Sequence, residues 1–440
     1  MSEIIPLISF IWFLYFFKNN RCNSFLTSLI FFSFFIFATN YSHFGLDIPI
    51  FRYLHRLIGV FTCIFVVIFV LRNKNSFLKD QVPLLIILLF FSILLSYIGN
   101  DLDVKNYLHY LRNYIFISGI VLYLYLNIDN NDKLEEVFKL IASITLILSV
   151  CLIIEKLFSN SFFSKASLFY PNSNYLAYAL LPGFAICFFS LGKYNWLKVV
   201  LIFFGILSTG SISSLIAAQS IFIIFSIYKK NYYLIFSVII VFLIFSSYIL
   251  HYKINFGSDA RAIIYQISFN IFKKNPINGI GYGQFVTKFP LYVNQKIYNN
   301  SPSEVLDLLS KYYYQYGYSA SVGFIKFEVA DKYAEGHHTT LKNANPYSST
   351  RFPEKMTHND LLTVITELGL IGFLASLFLF YRVYKQLKQL IFHNREYFFI
   401  STAMIISSIT FSCFHNNMSS FMFWFVIFFP FIINRNYYNS

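Results

Sequence analysis

The chain has 440 residues, of which 57% are hydrophobic, 21% aromatic and 12% charged, about half the charged fraction of an ordinary globular protein. That balance excludes a water-soluble domain and predicts an all-α membrane protein. The formal charge of +14 does not point to nucleic acid, because the basic residues are spread over alternate connections between apolar runs.

Taken in chain order, apolar runs fall near 3–17, 23–39, 56–72, 82–98, 112–127, 137–154, 175–191, 195–208, 211–228 and 232–250. A long polar interval follows, and then runs near 360–381, 396–413 and 418–433. The first run is expected to stay in the mature protein: Glu3 is the only early charge, and no small-residue cleavage site follows it. A bilayer is crossed by roughly 17–25 residues, and in lipid the backbone must satisfy its own polar groups, so each run is expected to be an α-helix. The reading is a polytopic bundle of about 12–13 transmembrane helices with one large periplasmic loop, the count turning on the short runs 3–17 and 195–208. It divides the chain into an N-terminal transmembrane bundle (1–250), an external loop (251–357) and a C-terminal three-helix group (358–440).

Orientation follows from the basic residues. Lys18 and Arg21; Arg72, Lys74 and Lys79; Lys133 and Lys139; Lys193 and Lys198; Lys229 and Lys230; Arg382, Lys385, Lys388 and Arg395; and Arg435 occupy alternate connections, which are therefore cytoplasmic. The intervening connections hold fewer, among them Arg52, Arg56, Lys105 and Arg112. The stretch 251–357 then faces the exterior, which in a bacterial inner membrane is the periplasm. Cys63, Cys151, Cys187 and Cys413 lie in apolar runs and Cys22 in a basic turn, so cysteine usage neither supports nor opposes an oxidising compartment. The small residues of "STGSISSLIAAQS", 208–220, read as a surface for close helix packing.

The external loop opens with "RAIIYQISFNIFKKNPINGIGYGQF", 261–285. Ile264, Ile267, Ile271 and Phe272 recur at helical spacing and Lys273 and Lys274 close the segment, which suits an amphipathic helix at the bilayer surface. Pro276 and Gly279 end it. Gly281 and Gly283 then form either an ordinary glycine turn or one whose backbone N–H groups approach an anion. From 286 to 357 the chain is rich in Tyr, Ser and Asn, a composition that fits either sugar contact or an interfacial aromatic belt. Arg261 can grip a phosphate through two N–H groups, or pair with Asp259 or a lipid headgroup.

In "MTHNDLLTVITELGLIG", 356–372, His358, Asn359 and Asp360 stand at the mouth of an apolar helix, with Glu367 inside it. An imidazole there can take a proton from an attacking hydroxyl. Alternatively, Asn359 and Asp360 cap the helix and His358 is a bystander. Glu367 lies about 13 Å deeper at roughly 1.5 Å per residue; it is either functional, as intramembrane carboxylates tend to be, or structural, paired with a base such as Arg52, Arg56 or Arg112. His337 and His338 lack metal-ligand spacing, and no metal is expected.

His358-Asn359, nine further residues and Gly369-Leu370-Ile371-Gly372, together with Arg261 leading into "NPINGIGYGQF", resemble the O-antigen polymerase and ligase family of bacterial inner-membrane glycosyltransferases. The resemblance covers about 35 residues directly, in an order that the long intervening loop makes moderately specific. It implies transfer of a glycan from undecaprenyl diphosphate, with His358 as general base for the acceptor hydroxyl and Arg261 neutralising the departing diphosphate. Asn359, Asp360, Gly281 and Gly283 are the accompanying candidates for substrate binding. Many members carry Ser-Arg where this chain has Ser211-Ile212, so a second phosphate-holding arginine must come from elsewhere; Arg52, Arg56, Arg112 and Arg351 are the candidates. The implied partners are a lipid-linked glycan donor, a glycan acceptor, membrane lipids and a chain-length regulator, with no cofactor and no nucleic acid. Polymerisation of lipid-linked repeat units into O-antigen or a related surface polysaccharide is the leading expectation. Ligation of finished glycan to lipid A core shares the motif. A transporter of lipid-linked glycan is the third reading, although related halves with matching broken helices are not evident in the sequence.

Overall fold

The computed structural model describes residues 60, 63–64, 66–68, 81–100, 104–158, 168, 173–190, 195–230, 233, 265, 268–285, 359–414 and 421–439. Their secondary structure is helical, with no strand among them. The helices are α1 (Gln81–Leu95), α2 (Val104–Asn127), α3 (Asn131–Leu157), α4 (Ser173–Phe189), α5 (Asn195–Ser208), α6 (Ile212–Tyr228), α7 (Asp360–Thr363), α8 (Gly369–His393), α9 (Arg395–Ser412) and α10 (Phe421–Asn439), with a π-helical turn at Val364–Leu368 between α7 and α8. In the apolar runs from 82–98 to 211–228, and in the three at the C-terminal end, most of the described residues lie on these helices. Those at 3–17, 23–39 and 232–250 lie outside the described residues or nearly so, as do most of 56–72 and most of the loop 251–357.

Among the described residues, two helical stretches are long and apolar enough to cross a membrane, Asn131–Leu157 with 27 residues and Asp360–His393 with 34. Shorter apolar helices are α1, α4, α5 and α6. Large apolar side chains also face outward: Phe91, Trp196, Phe204, Leu374 and Leu377 are among the exposed ones.

The residues separate into two compact units, one drawn from Met1–Ile87, Leu111–Ile239 and Leu377–Ser440, the other from Leu88–Tyr110 and Ile240–Ser376. In the first unit α4 is the hub, touching α3, α5, α6 and α9. A helix surrounded on every side must be apolar all round, and nearly every residue of α4 is buried. Gly183 lies directly against Thr145 of α3; a Cβ on that glycine would lie 2.5 Å from the threonine Cβ. One turn further along α3, Ser149 receives Gly205 of α5 in the same way, at 2.6 Å. Two small-residue contacts spaced i, i+4 on α3 thus let two helices pack against it at backbone range.

α6 lies along α9. Its buried Ser213, Ser214, Ala217 and Ala218 come from the small-residue run read in the sequence. Aromatic rings bind the same group together: Tyr178 stacks on Phe411 at 4.8 Å and Phe189 meets Phe225 at 5.5 Å, while the Tyr178 hydroxyl shares a hydrogen bond with Ser408. α10 buries Phe425, Phe428 and Phe429, and at its polar end Asn434 donates to the side chain of Gln386 at 2.7 Å. Gln386 in turn donates to Gln81 at 3.1 Å. Asn130 and Asn394 begin α3 and α9 by accepting the N–H of Lys133 (2.9 Å) and Tyr397 (3.0 Å), which satisfies amides that have no partner inside the helix.

Candidate functional site

The second unit contains the two stretches that carry the family resemblance, and it is built around a helix that breaks. Asn359 starts α7 as an N-cap, with extended backbone (φ −159°, ψ 118°) and a side chain that accepts the N–H of Leu362 at 3.1 Å. Asp360 behind it is buried. After one turn the backbone widens into the π turn, and at Gly369 it leaves the helical path altogether, with φ 63° and ψ −157°. Such a break orphans carbonyls before it and N–H groups after it, and π turns inside helices recur at functional sites.

The segment after helical residues 268–274 fills the break. Ile280 donates its N–H to the carbonyl of Thr366 (3.0 Å) and Gly281 to that of Glu367 (3.0 Å), while Leu370 donates to Pro276 (2.8 Å) and Ile371 to Ile277 (3.1 Å). Carbonyls on one side of the break and N–H groups on the other are therefore paired by a single loop, as the interior of a membrane or protein requires. The two backbones cross at glycines. A Cβ on Gly279, where φ is +67°, would sit 2.5 Å from the carbonyl carbon of Glu367, and one on Gly369 would sit 2.5 Å from the amide nitrogen of Gly279. Only residues without a side chain fit this crossing, and both adopt a left-handed φ that glycine takes without strain.

Glu367 completes the join. Its side chain turns into the glycine loop, where one carboxylate oxygen accepts the N–H of Gly283 at 2.9 Å and the other that of Phe285 at 3.1 Å; the residue is 5% exposed. An unpaired carboxylate in such a place would be costly to bury, and two backbone donors offset that cost. The turn at Gly281 and Gly283 packs against the chain's own Glu367, Gly281 donating to its main-chain carbonyl and Gly283 to its carboxyl group. Every N–H from Gly279 to Phe285 has an acceptor within the protein, those of Tyr282 and Gln284 being Ser96 Oγ (3.2 Å) and the carbonyl of Gly281 (3.1 Å). Gly281 and Gly283 consequently hold Glu367 rather than offering these groups to a ligand. Among the described residues the carboxylate's partners are these backbone amides; Arg52 and Arg56, two of the bases considered for it, lie outside them.

The end of α1 clamps the loop from another direction. Tyr97 donates its hydroxyl to the carbonyl of Tyr282 at 2.6 Å, Asn100 donates to Gly279 at 3.1 Å, and Asn278 donates back to the carbonyl of Ile98 at 2.6 Å. Tyr97 and Tyr107 meet edge to face at 4.0 Å, as do Tyr110 and Tyr282 at 5.8 Å. Ser96, Tyr97 and Asn100 were not anticipated from sequence, since they end an ordinary apolar run and no local pattern ties them to a loop some 180 residues away.

His358 and Arg261, the proposed base and phosphate ligand, lie outside the described residues, as do Arg52, Arg56 and Arg351. Arg112 sits half-buried on α2. Among the described residues no cluster of His, Cys, Asp and Glu forms a metal-ligand set. The chain matches no protein-family model and no curated protein.

Proposed function

We propose that the chain is a polytopic inner-membrane glycosyltransferase of the O-antigen polymerase and ligase kind, with about 12–13 transmembrane helices and residues 251–357 in the periplasm, and that it polymerises undecaprenyl-diphosphate-linked repeat units. The observation that carries this reading is the packing of "NPINGIG" onto "ELGLIG". These two stretches stand about 85 residues apart in the sequence, and they meet through four backbone hydrogen bonds and a glycine crossing. A chance pair of weak motifs has no reason to form one interlocked element. Exposed apolar side chains on the helices and a break that is repaired by the protein's own backbone are both suited to lipid surroundings.

In the proposed reaction an acceptor hydroxyl attacks the anomeric carbon of the donor. The bond from that carbon to the diphosphate oxygen breaks as the new glycosidic bond forms, the hydroxyl proton passes to His358, and the lipid diphosphate leaves as an anion neutralised by Arg261. Charge stabilisation of this kind is commonly a large part of catalysis, and a positioned base contributes about 10²–10⁴-fold. Asn359, as the cap of α7, fixes the start of the helix that follows His358 in the chain.

Deleting the gene in its native host tests the assignment. A polymerase leaves lipopolysaccharide bearing single repeats. Core alone, with long polymer still on the lipid carrier, would instead make the protein a ligase, and unaltered lipopolysaccharide would remove the proposal.

A further inference from the structure

We propose that Glu367 is a positioning residue: its carboxylate latches the glycine turn 281–285 into the helix break, and so holds that turn and the helix begun at Asn359 in fixed register. The inference rests on the proposed glycosyl transfer for its catalytic consequence, but the latch itself stands on geometry alone.

Phe285 closes the glycine turn on one arm, and Asn359 caps the broken helix on the other. Glu367 joins the two arms through side-chain bonds of 2.9 and 3.1 Å to the N–H groups of Gly283 and Phe285, and through its own carbonyl to the N–H of Gly281 at 3.0 Å. Backbone pairing alone extends from Pro276 to Gly281. Beyond Gly281, the turn is held to the broken helix by the Glu367 carboxylate. Two oxygens aimed at two N–H donors fix both distance and rotation, as one point of contact cannot. The sequence neighbours of these arms are the proposed catalytic groups: His358 directly precedes the cap Asn359, and Arg261 precedes the glycine loop in the sequence. Reacting groups carried on separate arms lose rate steeply when the arms shift by about an ångström.

Hydrogen exchange and kinetics on the purified full-length chain test this with two variants. Glu367→Gln keeps the shape but turns an N–H donor toward one of the two backbone donors. Exchange at the Gly283 and Phe285 amides is expected to accelerate about tenfold or more, with α3 unchanged. Glu367→Asp keeps two acceptor oxygens on a side chain one methylene shorter and is expected to recover part of the protection. With an undecaprenyl-diphosphate-linked oligosaccharide as substrate, kcat should fall at least about tenfold in Glu367→Gln with KM within about twofold, and partial recovery in Glu367→Asp should follow the exchange. Equal exchange in the wild type and both variants would overturn the latch. Accelerated exchange with wild-type kcat would overturn the positioning role. A wild-type chain that transfers no glycan would remove the proposed function instead, and the exchange measurement would still judge the latch.

Discussion

His358 and Arg261 bear the chemical burden of the proposed transfer, and they make different demands. If His358 takes the acceptor proton, His358→Ala should lower the transfer rate by about 10²–10⁴-fold while the amount of membrane-inserted protein, read by quantitative immunoblot, stays constant. Arg261→Lys keeps the charge but loses the fork that grips two phosphate oxygens, so it should recover only part of the activity lost in Arg261→Ala. Full activity in either alanine variant would remove that residue from the mechanism. Asn359 has a structural role that is separable from the chemistry. Its side chain accepts the N–H of Leu362 at 3.1 Å, and Asn359→Ala should cost about 1 kcal/mol, whereas Asn359→Asp, which preserves the acceptor, should cost little by thermal melting. The same group was open to two readings in the sequence, and the cap geometry favours the structural one for its side chain.

The broken helix and the loop in it form one element, whose weakest tolerance is at the glycines. Gly279→Ala places a Cβ against the carbonyl of Glu367 and forces a non-glycine residue to φ +67°, so a loss of about 1–3 kcal/mol is expected, together with a lower melting temperature. Gly99 also has a positive φ, but nothing lies within 4 Å of its Cβ position. Gly99→Ala therefore meets backbone strain without the collision and should be the milder change. Equal melting temperatures for the two variants would contradict the crossing. How far this element could be read in advance differs from part to part. The long helices were visible because each coincides with an apolar run, and the cap at Asn359 was one of two readings, because a side-chain acceptor before such a run can bond a free helical N–H. The glycines at 279, 281, 283 and 369 marked a special backbone without naming their partners, since positive φ is a local property and the crossing is not. Glu367 was noticed as a buried charge, but its donors lie more than 80 residues away, and no spacing rule links a carboxylate to backbone amides. The clamp by Tyr97 and Asn100 left no local trace for the same reason.

For the molecule as a whole, charge parity makes a prediction about sidedness. In a background with the five native cysteines replaced by serine, Ser303→Cys should react with an impermeant thiol reagent in intact spheroplasts, and Lys230→Cys only after lysis. The reverse pattern would place the polar segment in the cytoplasm, away from the periplasmic glycans. Close packing also matters at this level: α4 is enclosed by four helices, so Gly183→Val, which drives two methyl groups toward Thr145, should destabilise by about 1–3 kcal/mol and reduce the detergent-soluble yield. The most direct test of the account is a reconstitution. Purified wild-type chain incubated with undecaprenyl-diphosphate-linked repeat units should give a ladder of longer lipid-linked glycans with release of undecaprenyl diphosphate, and His358→Ala should leave the donor as single repeats. A donor left unchanged by the folded wild-type chain, or a ladder undiminished in His358→Ala, would contradict it.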